Sequence, residues 1–308
     1  MGNKFSKTLK KKSIPLPSIN MQEDSDFKYI HGRRYHNVES VKYPLPNDEE
    51  ELDRLHLQHF LLRYVWQRNF AAPVKHILNR NGTKVLDVGC GAGSWMFEMA
   101  SDYPNTQITG LDISPIQPSE IKPRNVNFIK ANVLNGLPFE NNTFDYIFQR
   151  FLVSAIPKDS WPDVINELTR VLKPGGYLEL VEINPIPFQL GPVSSQLFTA
   201  VEKMLQLRDL DTQIPYKLRS YFEQHGNLEN ITEEKNRLPY GPETGKLGQA
   251  AVENARLAVT HAKPFLLEAI KISSEEFDNN LDVLVKELNE FDSYNDTCCV
   301  YARKKGNY

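Results

Sequence analysis

Residues 85–93 read Val85-Leu86-Asp87-Val88-Gly89-Cys90-Gly91-Ala92-Gly93, an apolar run that breaks into alternating glycines. The run predicts a buried strand over Lys84 to Cys90, and Ser94 to Ala100 behind it carry a helical pattern. Glycines at such a strand-to-helix turn let a ligand approach the backbone and present N–H groups at the helix N-terminus. The dinucleotide fingerprint requires glycine at position 94, three residues after Gly91, and Ser94 stands there. Asp87, two residues before the first glycine, would repel a pyrophosphate and suits an ammonium instead. Both features oppose a nicotinamide oxidoreductase. Nineteen residues beyond Gly93 comes Asp112, where an acid accepts hydrogen bonds from both hydroxyls of a ribose.

Working outward, Gln107 to Ile113, Val126 to Ala131, Phe144 to Phe151 and Tyr177 to Ile183 predict four further strands. A helix over Asp163 to Leu172 opens at Ser160-Trp161-Pro162 and closes at a turn, Lys173-Pro174-Gly175-Gly176. The expected fold class is α/β, a Rossmann-like, doubly wound and mostly parallel sheet with helical additions before the first strand and after the fifth. Upstream, Asn47 or Asp48 should cap a helix with Glu49, Glu50 and Glu51 in its positive first turn. Its apolar stripe is Leu52, Leu55, Leu62 and Trp66. His59 falls in that stripe and reads as a core histidine bonded to a backbone carbonyl, with a pocket role as the alternative. A short helix after Pro73 should end at Asn81-Gly82. Downstream, helices are expected near 193–208, 215–225, 245–271 and 274–292, the last behind the capping box Ser273-Ser274-Glu275-Glu276. A weaker extended stretch lies near 227–236, and Cys298 to Arg303 form a short final strand.

The 308 residues are 40% hydrophobic and 24% charged, which excludes disorder over the whole chain. No apolar stretch approaches the roughly 18 residues that cross a bilayer, and mean hydropathy is −0.47. Net charge is −3, yet Lys4, Lys7, Lys10, Lys11 and Lys12 precede the first acid, Glu23, so residues 13–308 carry −8. The basic charge is a tail and not a groove, and no nucleic acid is expected as a partner. Met1-Gly2-Asn3-Lys4-Phe5-Ser6 fits the pattern for acylation of Gly2, and the lysines would supply the second signal for peripheral membrane contact. Three cysteines, Cys90, Cys298 and Cys299, make no disulfide framework and fit a cytoplasmic location, with membrane association through Gly2 and a nuclear address as alternatives. There is no zinc-type cysteine and histidine cluster, no nucleophile elbow and no Walker loop.

Ribose and ammonium on one ligand suggest S-adenosyl-L-methionine, and the sequence resembles the class I methyltransferases that use it. The likeness continues through Phe128-Ile129-Lys130-Ala131-Asn132-Val133, Leu137-Pro138-Phe139, Phe144-Asp145-Tyr146-Ile147 and Arg170-Val171-Leu172-Lys173-Pro174-Gly175-Gly176-Tyr177. A narrower likeness starts at Gly32-Arg33-Arg34-Tyr35-His36. It runs through Tyr43-Pro44-Leu45-Pro46-Asn47-Asp48, Arg54-Leu55, Gln58-His59 and Leu238-Pro239-Tyr240-Gly241 to the final strand. These stretches are similar to fungal methyltransferases that include regulators of secondary metabolism. The resulting organisation is a disordered basic tail over 1–27 and a single domain over 28–308. Within it, 28–80 form a helical cover, 84–184 the cofactor-binding core, 185–297 a helical segment on the substrate side, and 298–303 the last strand.

The resemblance implies that Asp87, Gly89, Cys90, Gly91 and Gly93 surround the methionine moiety, with Asp87 facing its ammonium. Asp112 would bind the ribose, Ile113 would pack on the adenine, and Asn132 with Val133 would meet the adenine edge. The family places an acid where Asn132 stands, so the amide oxygen would accept there without charge. Gln149 and Arg150 end the fourth strand, where open α/β sheets form their crevice. Methyl transfer by in-line displacement mainly requires alignment, worth about 7–11 kcal/mol, so a base is optional. Candidates for that role are His59, Tyr35 and Glu182, the last also readable as a solvent residue at a strand end. The acceptor is unnamed by any motif, as a small molecule or a protein, and a cofactor-binding regulatory module with a protein partner is the competing reading.

Overall fold

The computed structural model of the chain describes residues 26–38, 42–118 and 121–306. Gly2, Ser6 and the lysine cluster lie outside the described residues. Two strands absent from the expectation come first, β1 (Phe27–Ile30) and β2 (Arg33–His36), an antiparallel hairpin turned by His31 and Gly32 at φ 48° and 78°. Helix α1 (Glu49–Trp66) follows, and the Asp48 side chain caps it by accepting from the Glu51 N–H at 3.2 Å.

The buried residues of α1 differ from the expected stripe. They are Glu51, Arg54, His59, Leu61 and Leu62, while Leu52, Leu55 and Trp66 are half-buried. The helix touches α3 (Ser94–Asp102) at one place and α7 (Lys246–His261) at another, so more than one of its faces is covered. Between them α2 (Lys75–Leu78) precedes β3 (Lys84–Val88), and Gly82 at φ 76° belongs to the turn into that strand.

The alternating middle continues with β4 (Gln107–Asp112), β5 (Val126–Lys130), β6 (Phe144–Arg150), α4 (Trp161–Val171) and β7 (Leu172–Ile183). Strand β7 absorbs the expected Lys173 to Gly176 turn as an irregular start. Gly175 sits there at φ 79°, and the pairing with β6 shifts register between Phe144 and Tyr146.

Next come α5 (Pro192–Gln206), α6 (Ile214–His225) and β8 (Leu228–Pro239). The expected helix over 245–271 is two helices, α7 and α8 (Lys263–Ile270). Pro264 in the first turn of α8 cannot continue the preceding hydrogen-bond ladder. Helix α9 (Ser274–Glu290) has Ser273 as its cap, and β9 (Tyr294–Lys304) is longer than expected and inserted between β7 and β8.

The seven-stranded sheet has the order β5-β4-β3-β6-β7-β9-β8, parallel except for β9, which is antiparallel to both neighbours. The order reverses between β3 and β6. Ligands of open α/β sheets bind outside the strand C-termini at such a reversal. One apolar core joins β6 and β7 to α4 and α6, and a second lies between β3 and helices α2 and α3. A third is built by α5, α7, α8 and α9, so the segment after β7 owns a core that adjoins the sheet.

Candidate active site

A cavity of about 320 Å³ opens where β3, β4 and β6 end. Its first wall is the turn after β3, where Gly89, Gly91 and Gly93 have φ of 68°, 52° and 80°, values that favour glycine. The N–H groups of Gly89 and Cys90 both donate to the Leu111 carbonyl, at 2.7 and 3.2 Å, which ties the turn to β4. A Cβ on Gly91 would meet nothing nearer than Leu55 Cδ1 at 3.7 Å, so space is open in front of it. Gly110 was not singled out by sequence. A Cβ there would collide with Met96 Sδ and come within 2.8 Å of Cys90 Sγ, so glycine lets α3 lie close on β4.

The two carboxylates of this wall are held differently. Asp112 accepts from the Gly91 and Ser114 N–H groups, both at 2.9 Å, one on each oxygen. Each oxygen keeps a lone pair for a further donor. Asp87 is 4% exposed and accepts no hydrogen bond from the described residues. Burial pushes its carboxyl up to about 8, with Asp112 adding to the rise and Arg150 opposing it. A buried acid in that condition is completed by a cation.

Asp87, Gly89, Cys90 and Gly91, then Asp112 and Ile113, then Asn132 and Val133 all line the cavity. Gly93 and Gln149 are not among the lining residues: Gly93 caps α3, and Gln149 is fully buried. Asn132 Oδ1 accepts the Leu134 N–H at 3.0 Å, which leaves its Nδ2 buried without a partner among the described residues.

Of the three candidate bases only His59 reaches the cavity. It is not bonded to a backbone carbonyl: its Nδ1 lies 3.0 Å from Arg150 Nη2, and its Nε2 lies 3.3 Å from Glu98 Oε2. Burial and then the Arg150 charge pull its pKa down to about 4, against a smaller upward pull from Glu98. Tyr35 is 1% exposed, packs edge-on against Phe265 and does not line the cavity. Glu182 is no solvent residue. It is fully buried, and its carboxylate accepts the Leu152 and Val153 N–H groups at 2.9 and 3.0 Å, fixing the loop that leaves β6.

The facing wall comes from the helical segment expected on the substrate side, but none of its apolar residues was singled out by sequence. It consists of Phe198, Val201, Met204 and Leu205 on α5 with Ala255, Ala258 and Val259 on α7. Its polar part begins with Arg54 of α1, which gives two hydrogen bonds to Glu51, at 2.6 and 2.8 Å, and a third to Asn254 Oδ1 at 3.2 Å. His261 Nδ1 completes the cluster 2.6 Å from Glu51 Oε2. Elsewhere on this wall Tyr240 donates to Asn295 Oδ1.

Open glycine turn, ribose-suited Asp112 and cation-seeking Asp87 together fit a ligand that carries both an ammonium and a ribose. No group of histidine, cysteine or acidic side chains among the described residues is arranged to hold a metal.

Comparison with known proteins agrees. Residues 85–176 match a methyltransferase domain family. The methyltransferase pytC of Aspergillus terreus is 34% identical over 227 residues, covering 70% of this chain and 66% of that protein. The secondary metabolism regulator laeA of Aspergillus flavus is 32% identical over 174 residues, covering 54% and 46%. The protein-methionine methyltransferase laeA of Emericella nidulans is 32% identical over 175 residues, covering 54% and 43%. The chain thus spans between 43% and 66% of the length of these relatives. In fold it is similar to the Haemonchus contortus phosphoethanolamine N-methyltransferase 2 solved with S-adenosyl-L-methionine. The TM-score is 0.50 at 18% identity, over 89% of this chain and 62% of that one. Strand order, the glycine turn flanked by its two aspartates and these likenesses place the chain among the class I S-adenosylmethionine-dependent methyltransferases, close in kind to the fungal enzymes related to regulators of secondary metabolism.

Proposed function

We propose that this protein transfers a methyl group from S-adenosylmethionine to a small, largely apolar acceptor held in the same cavity. The observation that carries the reading is the cavity itself, in which the turn after β3 faces carbon-rich walls from α5 and α7. Bound S-adenosylmethionine supplies an electrophilic methyl on a positive sulfur. Asp87 takes the ammonium of the methionine moiety, and the Gly89 to Gly93 turn lets backbone N–H groups approach it. Asp112 accepts from the two ribose hydroxyls while its backbone donors keep the carboxylate in place. Ile113 covers the adenine, with Asn132 and Val133 at its edge. The residues of α1, α5 and α7 exclude water and align the acceptor, which is what a displacement chiefly needs.

The test is calorimetry with S-adenosylhomocysteine, followed by a screen for its production with fractionated small molecules and, separately, with protein extracts. Binding and turnover confined to the small-molecule fractions support the reading. Turnover confined to protein fractions refutes the acceptor class but not the cofactor. A second reading, a cofactor-binding regulatory module with little turnover, draws support from the likeness to proteins named as regulators. Binding without turnover in any fraction favours it.

A further inference from the structure

Two opposite charges stand on one face of the sheet beside the glycine turn. Strands β3 and β6 run parallel with Asp87 paired to Phe148, and Arg150 lies two residues beyond Phe148, so all three side chains share a face. All three line the cavity. Asp87 and Arg150 feel each other's charge without forming an ion pair. Asp87 accepts no hydrogen bond from the described residues, and Arg150 Nη2 is turned to His59 Nδ1 at 3.0 Å. Arginine nitrogens only donate, so His59 is the acceptor there and its ring proton sits on Nε2, toward Glu98. Arg150 Nε and Nη1 have no partner among the described residues, yet neither is sealed from open space.

The chain behind Arg150 is bent to keep it there. Phe151 has φ of 60°, in the left-handed region that bulky side chains rarely adopt. Its N–H donates to the Val181 carbonyl at 2.9 Å, and Glu182 takes the next two N–H groups. Leu152 is thereby laid on the turn after β3: a Cβ on Gly89 would come within 2.5 Å of Leu152 Cδ2. The end of β6 is thus fastened beside Gly89 and Asp87. Backbone strain held in place by several such bonds marks a site where side-chain placement matters.

Resting on the methyl-transfer reading, we propose that Arg150 binds the carboxylate of the cofactor's methionine moiety, so that Asp87 and Arg150 hold its two opposite charges from neighbouring strands. The ammonium and carboxylate of an amino acid hang from one carbon, so a wall that takes the first must answer the second close by. A guanidinium offers paired N–H donors that match carboxylate oxygens. Burial pulls the Arg150 pKa down to about 10, with Asp87 the largest opposing influence, and a carboxylate seated on the guanidinium would restore its balance of charge. His59 is a positioning residue here, since its ring fixes one nitrogen of the fork and leaves the others for the ligand.

The test is calorimetry on the full chain at one fixed pH, with S-adenosylhomocysteine and with its decarboxylated analogue, which keeps the ammonium. Wild type should prefer S-adenosylhomocysteine by about tenfold or more, as expected of hydrogen bonds between charged groups. Arg150→Gln should cut that preference to about threefold or less, the worth of a neutral donor. The decarboxylated analogue should bind this variant as well as wild type or better, since its ammonium no longer faces a cation. Arg150→Lys, which keeps the charge and loses the fork, should fall between, and it decides the matter where Arg150→Gln does not fold. Equal weakening of both ligands by Arg150→Gln would make the guanidinium a structural group only and overturn the inference. So would a wild type that binds both ligands alike, or a preference undiminished in Arg150→Lys. A preference undiminished in Arg150→Gln while turnover is lost would give the guanidinium to the acceptor and also overturn it. Failure of both ligands to bind wild type would instead strike the cofactor assignment itself.

Discussion

The two walls of the cavity are built over very different distances in sequence. On the cofactor wall, Gly91 and Asp112 are bonded across 21 residues. On the facing wall, Arg54 reaches Asn254 across 200 residues and Glu51 reaches His261 across 210. The first wall is specified by local backbone geometry, glycines at positive φ and acids near strand ends, set within one strand-turn-helix unit and the next strand. The second is specified by how α1 and α7 meet, and its polar residues answer to one another. A sequence therefore announces the cofactor and conceals the acceptor.

The most severe break of this comparison is Glu51→Ala. Glu51 and Arg54 are 1% and 3% exposed, so removing the carboxylate leaves a buried guanidinium unpaired, at a cost of about 3–5 kcal/mol. Thermal unfolding should show a large fall in midpoint. Burial alone would raise the Glu51 pKa, but Arg54 and His261 more than offset it and hold the group below its ordinary value. Its stabilisation is therefore present above the usual carboxylate range and is lost as pH falls through the lowered value, so the gap between wild type and variant should narrow in acid. An unchanged midpoint at neutral pH would mean that the two ends of the chain are not joined through this cluster.

Asp112→Ala addresses the other wall and should act on ligand affinity. Losing a charged acceptor for two hydroxyls should weaken S-adenosylhomocysteine by about 1.5–3 kcal/mol in calorimetry. The Gly91 and Ser114 N–H groups also lose their partner, so some of the loss comes from a looser turn. Asp112→Asn, which keeps one acceptor oxygen, should fall between the two. Equal affinity in all three would detach Asp112 from the ligand.

Legibility followed the same division. The glycine turn, Asp87 and Asp112 were readable because their signals lie within one strand-turn-helix unit and the next strand. Glu182 in Tyr177 to Ile183 was readable as a solvent residue at a strand end, and Glu179, on the opposite face of the strand, drew no reading. In fact each is buried because it accepts two backbone N–H groups, those of Ala71 and Ala72 for Glu179 and of Leu152 and Val153 for Glu182. No local pattern reveals donors 29 and 30 residues away for Glu182, or 107 and 108 residues away for Glu179. The length of β9 was hidden by Asn295 and Thr297, polar yet buried, since they bond to Asn184 and Asn236. Glu51 read only as an acid in the positive first turn of its helix, because its partner His261 lies 210 residues away. The break between α7 and α8 was missed for a different reason: a single helix over 245–271 was expected although Pro264, which divides it, stands in the sequence.

Asp87 offers a sharper test of the cofactor wall, in protons. With its carboxyl pushed up to about 8, it is mostly protonated at pH 7 in the free protein. An ammonium beside it favours the ionised form, so ligand binding should release close to one proton at pH 7 and little above pH 9. Affinity for S-adenosylhomocysteine should therefore rise by about tenfold, or about 1.4 kcal/mol, from pH 7 to 9. Calorimetry in buffers of different ionisation heat counts the protons directly. Asp87→Asn should bind more weakly above pH 8 and release none. Full proton release in that variant would assign the titration to another group.

The smallest effect concerns Asn132, where the family places an acid. The resemblance implied that the amide oxygen accepts from the adenine amino group. The geometry assigns that oxygen to the Leu134 N–H at 3.0 Å and leaves Nδ2 as the free, buried group. A backbone N–H is a fixed donor, so it settles which way the amide points. Asn132 should then donate to a ring nitrogen of the adenine. Asn132→Asp keeps the bond to Leu134 but removes the donor and buries a charge. It should weaken S-adenosylhomocysteine by about 0.5–1.5 kcal/mol, the worth of one neutral hydrogen bond. Tighter binding by Asn132→Asp would show that an acceptor is wanted after all, and that this chain meets its adenine as its relatives with an acid do.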